Sequence, residues 1–182
     1  PAAESAVRSE AFRDSLLAVG SSAGLDAIGV AGAHSFDDVR REIERRRDEG
    51  LHGGMQFTFR NPARSTDPTR ILAGARSLVV GARRTPAARL AEVGAGRMRI
   101  AAYARHDHYA DLRASLQVVA ERLRSDGWLA IVVADDNSLV DRAAAVRAGV
   151  GWWGRNANVL VPGRGSWFVL GSVVTDAPLT PS

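Results

Sequence analysis

The chain has 182 residues, of which 46% are hydrophobic and 24% charged, a composition that fits one globular domain and excludes a disordered, collagen-like or coiled-coil protein. It contains no cysteine and no lysine; all 24 basic residues are arginine, and the net charge is +4. Disulfides, iron–sulfur ligation, a P-loop lysine and a lysine Schiff base are therefore excluded within these residues. No apolar run approaches the length of about 20 residues that a membrane span needs, and the N-terminal residues do not resemble a signal peptide. We therefore expect a cytoplasmic protein that does not contact membranes.

The hydrophobic pattern predicts helices and strands that alternate along the chain. Apolar residues recur at helical spacing between charged ones and predict helices at 4–19, 35–50, 112–127 and 138–150. Short apolar runs predict strands at 26–30, 77–82, 98–103 and 129–134. Between them, 51–68 is rich in glycine and proline, so we expect a loop with short helical turns there, and 85–96 should be a surface connection.

Near the end of the chain, 158–161 and 167–174 flank Pro162–Ser166 and predict a hairpin. The alternation of elements followed by a hairpin favours an α/β or α+β fold, with a mixed sheet and helices packed on it.

The segment Gly149–Gly154 has the spacing Gly-x-Gly-x-x-Gly of a dinucleotide-binding loop. In such folds the motif follows a strand and begins a helix, whereas here it follows a predicted helix and precedes a strand, so we do not expect a Rossmann site. Gly151–Asn156 nevertheless combines two indole rings, a guanidinium and an amide, which suits a large planar ligand with polar edges. A buried aromatic turn is the alternative.

Two adjacent carboxylates, Asp135 and Asp136, follow the strand predicted at 129–134, at the kind of sheet edge where α/β proteins bind ligands. A carboxyl group walled by Trp152 and Trp153 would have a raised pKa and could donate a proton. The other carboxylate would help Ser138 to cap the next helix. Because neighbouring strand residues point to opposite faces, we expect one aspartate to be catalytic and the other structural.

The segment His106-Asp107-His108 brings two imidazoles and a carboxylate together. A zinc site uses three or four ligands with supporting hydrogen bonds, and no partner cluster such as His-Glu-x-x-His occurs in the sequence. We therefore predict no metal site and expect this segment to begin a helix or to contact a ligand.

Several segments spread along the chain match known proteins more specifically than the motifs above. They are His52–Phe57, Asp67-Pro68, Ala75–Ser77, Tyr103–Arg105, Asp135, the long block Asp141–Asn156, and Gly165–Gly171. Together they resemble the epoxyqueuosine reductase family over nearly the whole chain, and the resemblance is to the N-terminal, cobalamin-binding half of such enzymes. It implies that residues 1–182 form one nitroreductase-like cobalamin-binding domain.

The resemblance also implies a function. Members of that family reduce the epoxide of epoxyqueuosine in tRNA to queuosine, with cobalamin at the reaction centre and two four-iron four-sulfur clusters as the electron source. Their cluster domain supplies cysteines that this chain does not contain, so we expect that domain to lie outside the chain and the chain to be inactive alone. The implied partners are cobalamin and the anticodon region of tRNA, and we expect a monomer. The alternative is a cobalamin or flavin binding module without catalysis.

Residue by residue, Asp135 matches the family's acidic proton donor. The positions that match the cofactor pocket are Met55, Gln56, Phe57, Arg64, Tyr103, Arg105, Asp135, Arg142, Gly154, Arg155, Asn156, Val159, Ser166, Leu170 and Gly171. The chain departs from the family where Ala134–Asn137 stands in place of Val-Asp-Ser/Thr-Gly/Ala, which leaves Asp136 as an alternative donor. Arg155 replaces a lysine, Asp107–Tyr109 replaces Asp-Tyr-His, and Arg64 lies one position before the family's arginine.

Overall fold

The computed structural model describes residues 2–85, 96 and 98–182, and its helices lie on both faces of a four-stranded sheet. The helices are α1 (Ala2–Ser22), α2 (Asp37–Asp48), α3 (Phe57–Arg60), α4 (Pro62–Ser65), α5 (His108–Ser125) and α6 (Asp141–Arg147). The strands are β1 (Ala27–Gly32), β2 (Ser77–Arg84), β3 (Ala130–Ala134), β4 (Trp152–Trp153), β5 (Val159–Leu160) and β6 (Phe168–Thr175). Two 3-10 turns, Pro68–Arg70 and Ala102–Arg105, complete the set.

The main sheet has the order β1-β2-β6-β3, and every neighbouring pair in it is antiparallel. β6 lies in its interior, paired with β2 from Ser77↔Thr175 onward and with β3 from Ala130↔Thr175 onward. β4 and β5 form a separate two-stranded ribbon. The predicted α/β architecture with helices packed on a sheet is confirmed, and the sheet is antiparallel throughout rather than mixed in direction.

Each face of the sheet has its own apolar core. α1 and α5 cover one face, where the predicted helical stripe Leu112, Leu116, Val119 and Leu123 is fully buried. α6 covers the other face with alanines, whose small side chains allow the helix to approach closely. At Gly29 in β1 an added Cβ would lie 2.1 Å from the carbonyl oxygen of Ala148. The same face carries the cleft described below.

Three local predictions are wrong. Residues 98–100 have no regular structure and precede a 3-10 turn, because Met98 and Ile100 face solvent and pair with no strand. Residues 158–161 and 167–174 do not form a hairpin, since β5 pairs with β4 while β6 joins the main sheet. Ser138 does not cap α6, whose N-cap residue is Val140.

The other predicted elements are confirmed within a few residues of their expected bounds. Of the surface connection predicted at 85–96, residues 86–95 lie outside the described part of the chain. Among the residues that the structure describes, no helix has the length and apolar character needed to cross a membrane.

Candidate functional site

A cleft of about 1000 Å³ opens beside the end of β3, on the face of the sheet that α6 covers. Its volume lies at the upper end of the usual range for small-molecule sites. The walls come from α2, α3, the loop after β3, the first turn of α6, the β4-β5 ribbon and the start of β6. Apolar side chains such as Val159, Phe168 and Leu170 share the lining with Asp135, Asp136 and Asp141.

Backbone strain is concentrated at this cleft. Among the described residues, three that are not glycine have a positive φ: Phe57 at 29°, Asp135 at 56° and Ala157 at 61°. All three line the cleft, although they come from separate parts of the chain. Such conformations cost of order 1–3 kcal/mol each and cluster at functional sites. The convergence therefore indicates that the cleft is a binding or catalytic site.

Hydrogen bonds hold the loop that carries Asp135 before and after this residue. The carbonyl oxygen of Ala134 accepts a hydrogen bond from Arg113 Nη2 at 3.1 Å, and that of Asn137 accepts one from Ser65 Oγ at 2.5 Å. Within the described part of the chain, no hydrogen-bond donor contacts the exposed carboxylate of Asp135 itself. The loop thus presents this carboxylate to the cleft with its oxygens free for a ligand.

Asp136 has a different environment from its neighbour. Its Oδ1 accepts hydrogen bonds from the Ser138 backbone N–H at 2.7 Å and from the Ser138 hydroxyl. The hydroxyl bond, then the backbone bond and the nearby Arg64 guanidinium, hold the pKa of Asp136 below its ordinary value. Asp136 is therefore a fixed anion that shapes the turn, which suits a structural carboxylate.

Asp141 is a third carboxyl group in the cleft, and no sequence pattern predicted a role for it. Its side chain is partly accessible as a whole, but Oδ1 is buried and has no hydrogen-bond partner among the described residues. Burial, and then repulsion by Asp135 and Asp136, raise its pKa to about 8 against the opposing charge of Arg142. Asp141 is therefore mainly a neutral acid at pH 7. The sequence did not indicate this property, because it arises from burial and from neighbouring carboxylates in the folded chain.

Arg142 connects α6 to the turn between β4 and β5. Its Nη1 donates to the carbonyl oxygen of Ala157 at 2.8 Å, and the Gly154 N–H donates to the carbonyl oxygen of Asn158 at 2.8 Å. Asn156 Oδ1 accepts the Asn158 backbone N–H at 3.2 Å. These bonds hold Ala157 in its left-handed conformation and place it and Asn158 in the cleft wall.

The structure brings six of the predicted pocket residues together. The six that line the cleft are Phe57, Asp135, Arg142, Val159, Ser166 and Leu170. Trp153 lines it as well, whereas Trp152 does not, because neighbouring residues of β4 point to opposite sides. Tyr109, which carried no prediction as a pocket residue, also lines the cleft; burial, and then repulsion from Asp135 and Asp141, raise its pKa.

The other nine predicted residues lie outside this lining. Gly154 and Asn156 shape the turn that holds Ala157. The charge of Arg64 lowers the pKa of Asp136. Arg105 Nη2 donates to the carbonyl oxygen of Ile100 at 2.6 Å. The remaining five are Met55, Gln56, Tyr103, Arg155 and Gly171.

The packing around Gly171 explains why a glycine stands at this position. A Cβ at this position would lie 2.8 Å from Leu116 Cδ1 and 2.9 Å from Ala134 Cβ. The side of Gly171 on which a side chain would project therefore faces α5, on the opposite face of the sheet from the cleft.

Comparison with known proteins gives one consistent set of relatives. No protein-family model matches the chain. An epoxyqueuosine reductase of Bacillus anthracis is 29% identical over 181 residues, covering 94% of this chain and 47% of the relative. That of Synechococcus sp. (strain CC9605) is 31% identical over 165 residues, covering 86% and 49%. The chain thus spans about half the length of the curated relatives it matches.

Solved structures agree with the sequence comparison. A selenomethionine-labelled epoxyqueuosine reductase superposes with a TM-score of 0.84 at 26% identity, over 94% of this chain and 47% of the other. An epoxyqueuosine reductase with an epoxyqueuosine-modified tRNA-Tyr stem loop has a TM-score of 0.81 at 24% identity, over the same shares. A reductive dehalogenase, described for B12-dependent dehalogenation, shares the fold at a TM-score of 0.57 and 20% identity, over 92% and 19%. Over nearly its whole length, the chain is therefore similar in sequence and in fold to about half of an epoxyqueuosine reductase.

Proposed function

We propose that this chain is the cobalamin-binding part of a tRNA epoxyqueuosine reductase and that cobalamin occupies the cleft beside Asp135. The observation that carries the proposal is the convergence of Phe57, Asp135 and Ala157, all strained, on one cleft of a chain homologous to those reductases. The shared fold of the B12-dependent dehalogenase supports the cofactor. The reductase solved with an epoxyqueuosine-modified stem loop supports the tRNA anticodon region as partner.

The residues of the cleft fit such a cofactor. The cleft is large, and Val159, Phe168 and Leu170 offer apolar contact for a ring system. Polar and charged groups such as Asp135, Asp141 and Arg142 share the lining, and the bonded turn around Ala157 fixes the wall that the ribbon contributes. Apolar surface for a ring system, combined with positioned polar groups for its edges, suits a large cofactor.

The reaction needs protons as well as electrons. Loss of an epoxide oxygen as water consumes two electrons and two protons and leaves a carbon–carbon double bond. Bound cobalamin would supply a low-valent metal centre for breaking the carbon–oxygen bond. Asp135, exposed and without hydrogen bonds from described residues, would deliver a proton to the substrate. Asp141, neutral at pH 7, would keep a proton available in the same cleft.

The electrons must come from outside these residues. The chain has no cysteine and so cannot hold an iron–sulfur cluster through thiolates. We propose that two four-iron four-sulfur clusters elsewhere in the enzyme reduce the cofactor, and that the chain alone is a cytoplasmic monomer that binds cobalamin without turnover.

Cobalamin binding can be tested on the chain itself. Calorimetry should detect one site, and corrin absorbance should stay with the protein through gel filtration. Asn158→Trp should abolish binding because this exposed side chain lies in the cleft wall. Val118→Trp, at an exposed position of α5 on the other face of the sheet, is the matched control and should leave binding intact. Absence of binding at about 100 μM, roughly the −5.5 kcal/mol level, would refute the site assignment.

The proton donor can be tested in a reductase that also carries the cluster domain. Asp135→Asn should retain cobalamin but lower product formation by about 100-fold or more, the usual share of a proton donor. Asp136→Asn should cost far less activity, because the carboxylate of Asp136 already accepts hydrogen bonds from Ser138 and is not free to act on the substrate. The opposite ranking would transfer the catalytic role to Asp136. Cobalamin binding without product formation by the unmodified enzyme would favour a module without catalysis.

A further inference from the structure

Three side chains that can bind a metal ion converge where α5 begins. The ligand atoms of His106, His108 and Asp111 all lie within 4.8 Å of one another. His106 Nε2 is 2.8 Å from Asp111 Oδ2, and the two imidazole rings meet edge to face with centroids 5.0 Å apart. The cluster lies outside the lining of the cobalamin cleft.

The local fold explains why the sequence pattern alone predicted no metal site. His106 and His108 are two ligands, and the third, Asp111, becomes a neighbour only when the helix forms. Asp107 Oδ1 accepts the Ala110 N–H at 2.9 Å and caps α5 at His108. Residues three apart on a helix share a face, so the cap brings His108 and Asp111 to the same side.

We propose that His106, His108 and Asp111 bind one divalent ion of the first-row transition metals. Two imidazoles and one carboxylate suit borderline ions such as Zn²⁺ and Co²⁺ better than Ca²⁺ or Mg²⁺. Bonds of about 2.0–2.2 Å in a tetrahedral site place ligand atoms about 3.4 Å apart, so no separation must close by more than about 1.4 Å. We expect rotation of the His106 and Asp111 side chains, which reach solvent, to make that change.

The surroundings set the accessibility and strength of the site. His108 is only 9% exposed, while the side chains of His106 and Asp111 are 58% and 38% exposed. An ion can therefore reach the latter two from solvent and keep water as a further ligand. Arg83 Nη2 lies 3.7 Å from Asp111 Oδ2, and its Nη1 donates to Ser115 Oγ at 2.8 Å. This guanidinium repels a bound cation, so removing its charge should strengthen binding.

A bound ion would act on the segment that precedes α5. It would tie His106 to the rigid start of the helix, and His106 directly follows the 3-10 turn Ala102–Arg105. The turn contains Tyr103 and Arg105, two of the positions that match the family's pocket. The inference does not depend on cobalamin binding, so each of the two proposals can fail without the other.

Calorimetry with zinc chloride tests the site on the chain without a histidine tag and without cobalamin. One zinc ion should bind, and Co²⁺ should give the visible absorption bands of a tetrahedral site. His106→Ala and Asp111→Asn, both at exposed ligands, should each weaken zinc binding by about 100-fold or more, since changes even in supporting groups cost 10–100-fold. Arg83→Gln should strengthen it at least about threefold.

Two matched controls separate the cluster from nonspecific binding. Asp107→Asn removes a neighbouring carboxylate but keeps a capping side chain, and His34→Ala removes an exposed histidine elsewhere. Both variants should bind zinc as the unmodified chain does. The proposal is overturned if zinc does not bind at about 1 mM, or if binding survives both His106→Ala and Asp111→Asn.

Discussion

Replacing Asp141 by asparagine should change how stability depends on pH. In the folded chain the pKa of Asp141 is raised from 3.8 to about 8, by burial and then by repulsion from Asp135 and Asp136. The folded state therefore holds a proton that the unfolded state releases, and the free energy of unfolding falls as pH rises between about 4 and 8. The slope for one proton is at most about 1.4 kcal/mol per pH unit.

The asparagine side chain has no such proton to hold and keeps the shape of the aspartate, so Asp141→Asn should gain stability over the unmodified chain as pH rises. Between pH 5 and pH 7 the difference in unfolding free energy should grow by about 2 kcal/mol. Urea denaturation of both proteins at pH 5, 6, 7 and 8 measures it. Asp14→Asn, at an exposed carboxylate of α1, serves as the control and should show no such trend. A constant or shrinking difference for Asp141→Asn would show that the Asp141 carboxyl group is not held neutral.

Two further substitutions test the packing and the strain around the site. Gly171→Ala should lower the free energy of unfolding by about 1–3 kcal/mol in urea denaturation, because the new methyl would lie 2.9 Å from Ala134 Cβ and 3.0 Å from the carbonyl oxygen of Val133; unchanged stability would contradict this close packing. Asp135→Gly should raise the unfolding free energy by up to about 1 kcal/mol, since glycine adopts φ near 56° without strain, and a loss of stability would mean that the aspartate side chain supports the loop.

Most elements of the fold could be predicted because their signals are local. In α5 the spacing of Leu112, Leu116, Val119 and Leu123 specifies which face is buried, and the structure buries all four. The errors arose where an element depends on a distant partner. β6 looked like half of a hairpin with 158–161, but it pairs with β2, about 90 residues earlier in the chain. Local turn signals carry no information about that pairing.

The site was predictable in its location but not in its electrostatics. The position of Asp135 after a strong strand indicated a carboxylate at the sheet edge, and the structure places it in the cleft. Strand alternation was the wrong reason for separating it from Asp136, because both follow the end of β3 and the left-handed conformation of Asp135 turns the chain between them. The proton affinity of Asp141 depends on burial, which exists only in the folded chain.

Two carboxyl groups of the cleft differ in protonation: Asp136 is held as an anion and Asp141 is held as a neutral acid. Ser138 and Arg64 stabilise Asp136 as an anion, and the charge of that anion is one cause of the raised pKa of Asp141. Groups whose environments push their pKa values apart can serve one reaction in different roles. The hydrogen bonds of Ser138 therefore do more than shape a turn, because they fix a negative charge that helps to keep Asp141 protonated. Asp135 shares the cleft with this fixed anion and this neutral acid, and its strained backbone presents a carboxylate that is free to act on a ligand.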